Sequence, residues 1–70
     1  MYTVYALRST IKNYIYVGMT KDLDDRIRRH NAGYNKSTSP YKPFILIYQE
    51  ILPNGQEARK REKYFNFSIV

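Results

Sequence analysis

Ala58, Glu62, Phe65 and Ile69 recur at spacings of four, three and four, so the Glu62 carboxylate falls within an otherwise apolar helical stripe. A carboxylate on a face that must be covered is costly unless it is ion-paired or binds a cation. Arg26 or Lys63 could supply the pair, and a hard divalent ion is the other solution. Arg26 and His30 stand four residues apart, one above the other on a helix, beside the stripe of Leu23 and Ile27. A guanidinium there can grip a phosphate through two parallel hydrogen bonds, or can be an ordinary surface charge. An imidazole can carry a proton near neutral pH, or can end a basic helix where its charge suits the helix dipole. Arg28 and Arg29 are better placed for solvent or for more distant phosphates.

The elements that must hold these groups can be read in order. Tyr2 to Leu7 and Tyr14 to Met19 are rich in β-branched, aromatic and aliphatic residues and flank the polar turn-forming stretch Ser9–Asn13, which predicts a β-hairpin. Thr20 or Asp22 can cap a helix, Asp24 and Asp25 suit its first turn, Arg28 and Arg29 its last, and Gly33 its end. A helix over about Asp22 to Asn31 follows. Tyr34 to Pro43, with two lysines and two prolines, predicts a basic loop. Phe44 to Leu52 is apolar enough for a third strand covered on both faces. Pro53-Asn54-Gly55 then makes a turn into a second helix from Gln56 onward. The expected fold is α+β, a small three-stranded mixed β-sheet flanked by helices in the order β-β-α-β-α.

Composition sets the limits. Seventy residues allow one compact domain, 1–70, whose core supplies only ~3–5 kcal/mol of stability. Twelve Lys and Arg against six Asp and Glu give a net charge of +6, a field that attracts polyanions, nucleic acid first among them. With no cysteine and one histidine, disulfides, thiolate sites and His clusters are excluded, so any metal sits on oxygen. The N-terminal MYTVYALRST has neither the basic region nor the long apolar run of a signal peptide or membrane span, and a cytoplasmic location is expected. Most of the eight tyrosines fit half-buried strands as packing partners.

Two tyrosines fall in a known pattern. Thr3-Val4-Tyr5 and, eleven residues on, Tyr16-Val17-Gly18 are followed by Lys21-Asp22-Leu23 leading into Arg26. Then come Arg29-His30-Asn31, the loop Lys36-Ser37-Thr38-Ser39-Pro40, Glu57-Ala58, and Arg61-Glu62-Lys63. In this order the chain resembles the GIY-YIG nuclease superfamily over nearly its whole length, most of all the small stand-alone members, which are similar to the nuclease domains of excision repair, resolvases and homing endonucleases. Thr3 stands where the family name has glycine, but the tyrosine is kept. The similar small proteins continue past the glutamate helix with further basic residues, whereas this chain stops at Asn66-Phe-Ser-Ile-Val70, so an incomplete or divergent tail is expected.

The resemblance implies a metal-dependent endonuclease that hydrolyses phosphodiester bonds, DNA more than RNA, as a monomer or weak homodimer. Tyr5, Tyr16, Arg26, His30 and Glu62 are implied as catalytic, with Glu62 holding one Mg²⁺ or Mn²⁺ ion. Arg28, Arg29, Lys36, Ser37, Thr38, Lys42 and Lys63 are expected to meet nucleic acid. Two alternatives remain: an inactive nucleic-acid-binding module of the same fold, and an assembly module in which Glu62 and Arg26 form a buried pair.

Overall fold

The computed structural model describes the backbone of residues 1–69 and the side chains of residues 1–66. Strand β1 (Tyr2–Ser9) turns through a short loop into β2 (Ile15–Thr20), helix α1 (Leu23–Ala32) follows, then β3 (Phe44–Leu52) and helix α2 (Gly55–Ile69). The order is the expected β-β-α-β-α. Ile69, the last residue of the expected apolar stripe, lies outside the described side chains.

The sheet order is β2-β1-β3, and both pairings are antiparallel. This corrects the expected mixed sheet. Strands β2 and β3 do run in the same direction, as strands joined by a helix commonly do, but β1 lies between them and is antiparallel to each. Being central, β1 is the strand buried on both faces. Val4 and Ala6 face Val17 and Ala58 of α2, whereas Tyr5 and Leu7 pack with Phe44, Leu23 and Ile27 on the other side. The apolar run of β3 is correspondingly not covered on both faces: with three strands in the sheet it forms an edge, leaving Ile45, Ile47 and Ile51 exposed.

Helix α1 begins and ends on the residues that favour it. The Asp22 carboxylate accepts a hydrogen bond from the Asp25 amide, and Gly33 closes the helix in the left-handed conformation at φ 84°. The Asn31 side chain then ties the helix to the sheet, its Oδ1 accepting from the Phe44 amide at 2.6 Å. The following loop is more ordered than a basic connector. Asn35 accepts hydrogen bonds from the Thr38 and Ser39 amides through its carbonyl and from Ser37 through its side chain, and a single 3₁₀ turn covers Ser39–Tyr41. That turn is fixed to the β-hairpin, since Ser9 donates to the Tyr41 carbonyl at 2.6 Å and the Tyr14 ring stacks on Tyr41 at 3.9 Å.

Candidate active site

Side chains from β2 and α1 pack around the hydroxyl of Tyr5. The side chain points from the central strand to the α1 side of the sheet, where it is only 1 % exposed. His30, in the last turn of α1, is 2 % exposed and brings Nε2 to 3.3 Å from that hydroxyl. The Tyr16 ring, from β2, is tilted against both, at 6.1 Å from Tyr5 and 4.7 Å from His30 between centroids. Burial first, and then Tyr16, push the Tyr5 hydroxyl well above the ordinary tyrosine value, Arg26 pulls the other way, and Glu62 of α2 adds a smaller upward push. Tyr5 therefore feels the charges of residues on three other elements, and at neutral pH it is a protonated phenol.

His30 is shifted in the opposite sense for a base. Burial, followed by the Arg26 charge, lowers its pKa below the ordinary 6.5, so the ring is neutral at neutral pH. Its other nitrogen, Nδ1, is 3.0 Å from Thr38 Oγ1. A solvated histidine ending a basic helix would show neither this burial nor these partners.

The charged groups divide by whether they are already paired. Arg28 and Arg29 both reach Asp25, although both remain largely exposed. Arg61 is held by Glu50, which also accepts from the Tyr48 hydroxyl, and these contacts keep the Glu50 carboxyl below its usual value. Among the described residues Arg26 and the half-buried Glu62 form no ion pair or side-chain hydrogen bond. The pairing of Glu62 with Arg26 or Lys63 is thus not what the structure contains. No group of three or more His, Asp or Glu lies together among the described residues, so Glu62 belongs to no carboxylate cluster there, although its charge is felt by Tyr5.

Beside this cluster a cleft of roughly 320 Å³ is lined by Arg26, Arg29, His30, Tyr34, Asn35 and Lys36, so three cations open onto the site. A larger hollow of about 650 Å³, between Tyr2, Met19 and the start of α2, shares no residue with it. Lys36, Ser37, Lys42 and Lys63 are exposed, as contact with nucleic acid requires, but Thr38 is fully buried. Its hydroxyl is taken up by His30 and the Asn35 carbonyl and does not face solvent. The local sequence gave no sign of this, because its partner is His30, eight residues earlier.

Gly18 makes the close approach of the tyrosines possible. A Cβ there would lie 2.8 Å from the Tyr5 hydroxyl oxygen and 2.9 Å from Tyr16 Cε2. Both rings are held by His30 and the sheet, so Gly18→Ala is expected to cost about 1–3 kcal/mol of stability, read as a lower urea midpoint. An unchanged midpoint would mean that the rings move aside freely.

Residues 1–66 match the family model of the GIY-YIG catalytic domain. The chain belongs to the GIY-YIG family. It is 41 % identical over 51 residues to UPF0213 protein SH2523 of Staphylococcus haemolyticus, a match covering 71 % of this chain and 62 % of that protein. To UPF0213 protein SA0446 of Staphylococcus aureus it is 41 % identical over 49 residues, covering 69 % and 60 %. The chain thus spans about three fifths of the length of these relatives. No solved structure matches it. Its architecture is a nuclease-type fold of this family, and no helix among the described residues is long and apolar enough to cross a membrane.

Proposed function

We propose that this GIY-YIG domain is a divalent-metal-dependent endonuclease that hydrolyses phosphodiester bonds in DNA, acting in the cytoplasm as a monomer or weak homodimer. The observation that carries this reading is the packing of His30 and Tyr16 on the buried Tyr5 hydroxyl, with Arg26 beside His30 on the adjoining cleft and the Glu62 charge acting on Tyr5 from α2. Such a set can move a proton and offset negative charge at one point, which is what phosphodiester hydrolysis needs.

Glu62 fits the cation. It is an oxygen donor without an ion pair among the described residues, and Mg²⁺ accepts one protein carboxylate because it keeps several waters and takes substrate phosphate as a ligand. When bound, the cation acts as a Lewis acid on a phosphate oxygen. Arg26, exposed at the mouth of the cleft, meets the scissile phosphate and offsets charge as the pentacovalent state forms. Tyr5 does not act as a phenolate, given its raised pKa. Instead its oxygen takes the proton of the attacking water while its own proton passes to Nε2 of the neutral His30. Tyr16 packs against both partners of this relay and steadies them. Arg28, Arg29, Lys36, Ser37, Lys42 and Lys63 contact the flanking backbone.

The test is incubation of labelled single-stranded, duplex and branched DNA and RNA with the protein, with Mg²⁺, with Mn²⁺ and with chelator. Metal-dependent products are expected, from DNA before RNA. Salt-sensitive binding with no product under any condition would replace this reading by that of a binding module.

A further inference from the structure

Thr38 is the one fully buried side chain of a surface loop whose neighbours Lys36 and Ser37 are exposed. A buried hydroxyl must place its single proton and one lone pair on definite partners. Its Oγ1 lies 3.0 Å from His30 Nδ1 and 3.4 Å from the Asn35 carbonyl oxygen. The loop backbone fixes this position, because the Asn35 carbonyl also accepts the Thr38 amide at 3.2 Å and the Ser39 amide at 2.9 Å. Across the imidazole, Nε2 faces the Tyr5 hydroxyl at 3.3 Å. Asn35, Thr38, His30 and Tyr5 thus form one hydrogen-bonded line from loop backbone to sheet.

We propose that Thr38 is a positioning residue that donates to the Asn35 carbonyl and accepts from His30 Nδ1–H, fixing the imidazole as the tautomer whose Nε2 lone pair receives the Tyr5 hydroxyl. Counting protons supports this direction. With the ring proton on Nδ1, the three protons of Tyr5, His30 and Thr38 meet three acceptors in turn: Nε2, Oγ1 and the Asn35 carbonyl. With it on Nε2, Thr38 turns its proton to Nδ1, its bond to Asn35 is lost, and the Tyr5 proton has no acceptor on His30. Burial keeps the ring neutral, so a single tautomer can persist. The role rests on the hydrolytic reading above, because only the first tautomer leaves Nε2 free to take the proton that Tyr5 passes on. It also gives the loop a purpose other than phosphate contact: it is the outer support of the base.

His30 is the only histidine in the chain, so its two ring nitrogens can be read by ¹⁵N NMR without assignment by mutation. The wild-type protein is expected to show a protonated Nδ1 and an unprotonated Nε2. Thr38→Val keeps the side-chain shape but removes the acceptor, and is expected to shift the ring toward Nε2–H. Thr38→Ser restores the hydroxyl and should return the wild-type spectrum. Cleavage by Thr38→Val is expected to fall about 10–100-fold, with recovery in Thr38→Ser. An Nε2–H ring in the wild type overturns the proposal even if the valine variant does not fold, and so does an unchanged ring in a folded Thr38→Val. A changed tautomer with an unchanged cleavage rate overturns its catalytic part. Since the spectrum is recorded without substrate, a protein that cleaves nothing would sink the nuclease reading while still deciding the role of Thr38.

Discussion

Glu62→Ala is expected to remove metal-dependent cleavage while leaving the fold in place. On the proposed reading, losing the carboxylate that would hold the cation forfeits several kcal/mol of transition-state stabilisation, and about 4 kcal/mol corresponds to a ~10³-fold fall in rate. The stability change should stay within roughly 1 kcal/mol, because Glu62 has no ion pair among the described residues and alanine is the better helix former. These two readouts separate the readings of the site. Had Glu62 been one half of a buried pair with Arg26, removing it would strand a charge and cost about 3–5 kcal/mol. A large drop in melting temperature would therefore revive the assembly reading, and full cleavage by a well-folded variant would remove Glu62 from the mechanism. Binding of uncleaved nucleic acid in chelator should be as tight or tighter, since the variant is one unit more positive.

A second glutamate, Glu50, shows why this role could not be read from charge alone. Glu50 lies on β3 and Glu62 on α2, yet Glu50 is held by Arg61 and Tyr48 while Glu62 is left open. Helical periodicity placed Glu62 on the sheet-facing side, where it is half-buried, but it could not tell which arginine would find which carboxylate. Such pairings join residues from separate elements, and local spacing carries no record of them. The spacing of Arg26 and His30 was legible for the opposite reason, being set by one turn of one helix.

Element order, the Asp22 and Gly33 caps of α1 and the span of β3 were also legible, since each depends on near neighbours. What escaped was tertiary. The apolar run of β3 suggested an inner strand, but the hairpin leaves β1 in the centre, and so β1 is the strand covered on both faces. Thr38 looked like part of a polar, ligand-facing loop. It is buried because Ser9 and Tyr14 hold the Ser39–Tyr41 turn against the hairpin, which presses the preceding residue onto His30. The same packing turned His30 from a helix-ending polar residue into the neutral centre of the site.

Tyr5→Phe tests that centre most directly. The phenyl ring keeps the packing with Leu7 and Phe44, so the variant loses one oxygen and little else. Its absence leaves His30 Nε2, in a side chain 2 % exposed, without the hydroxyl that faces it, at a cost of about 1–3 kcal/mol. Cleavage should fall by about 10²–10⁴-fold, the usual contribution of a positioned proton-transfer group, when assayed well below the variant's melting midpoint. The wild-type pH profile gives an independent check. In the proposed relay His30 must be neutral to accept the proton, and its pKa is held below 6.5 by burial and then by Arg26. Cleavage should accordingly persist at pH 6.5 and decline only at more acidic pH, as the ring becomes protonated. A Tyr5→Phe protein that keeps the wild-type rate and acid limb would show that the water loses its proton elsewhere, and Tyr5 would then be a packing residue with a hydroxyl that only orients His30.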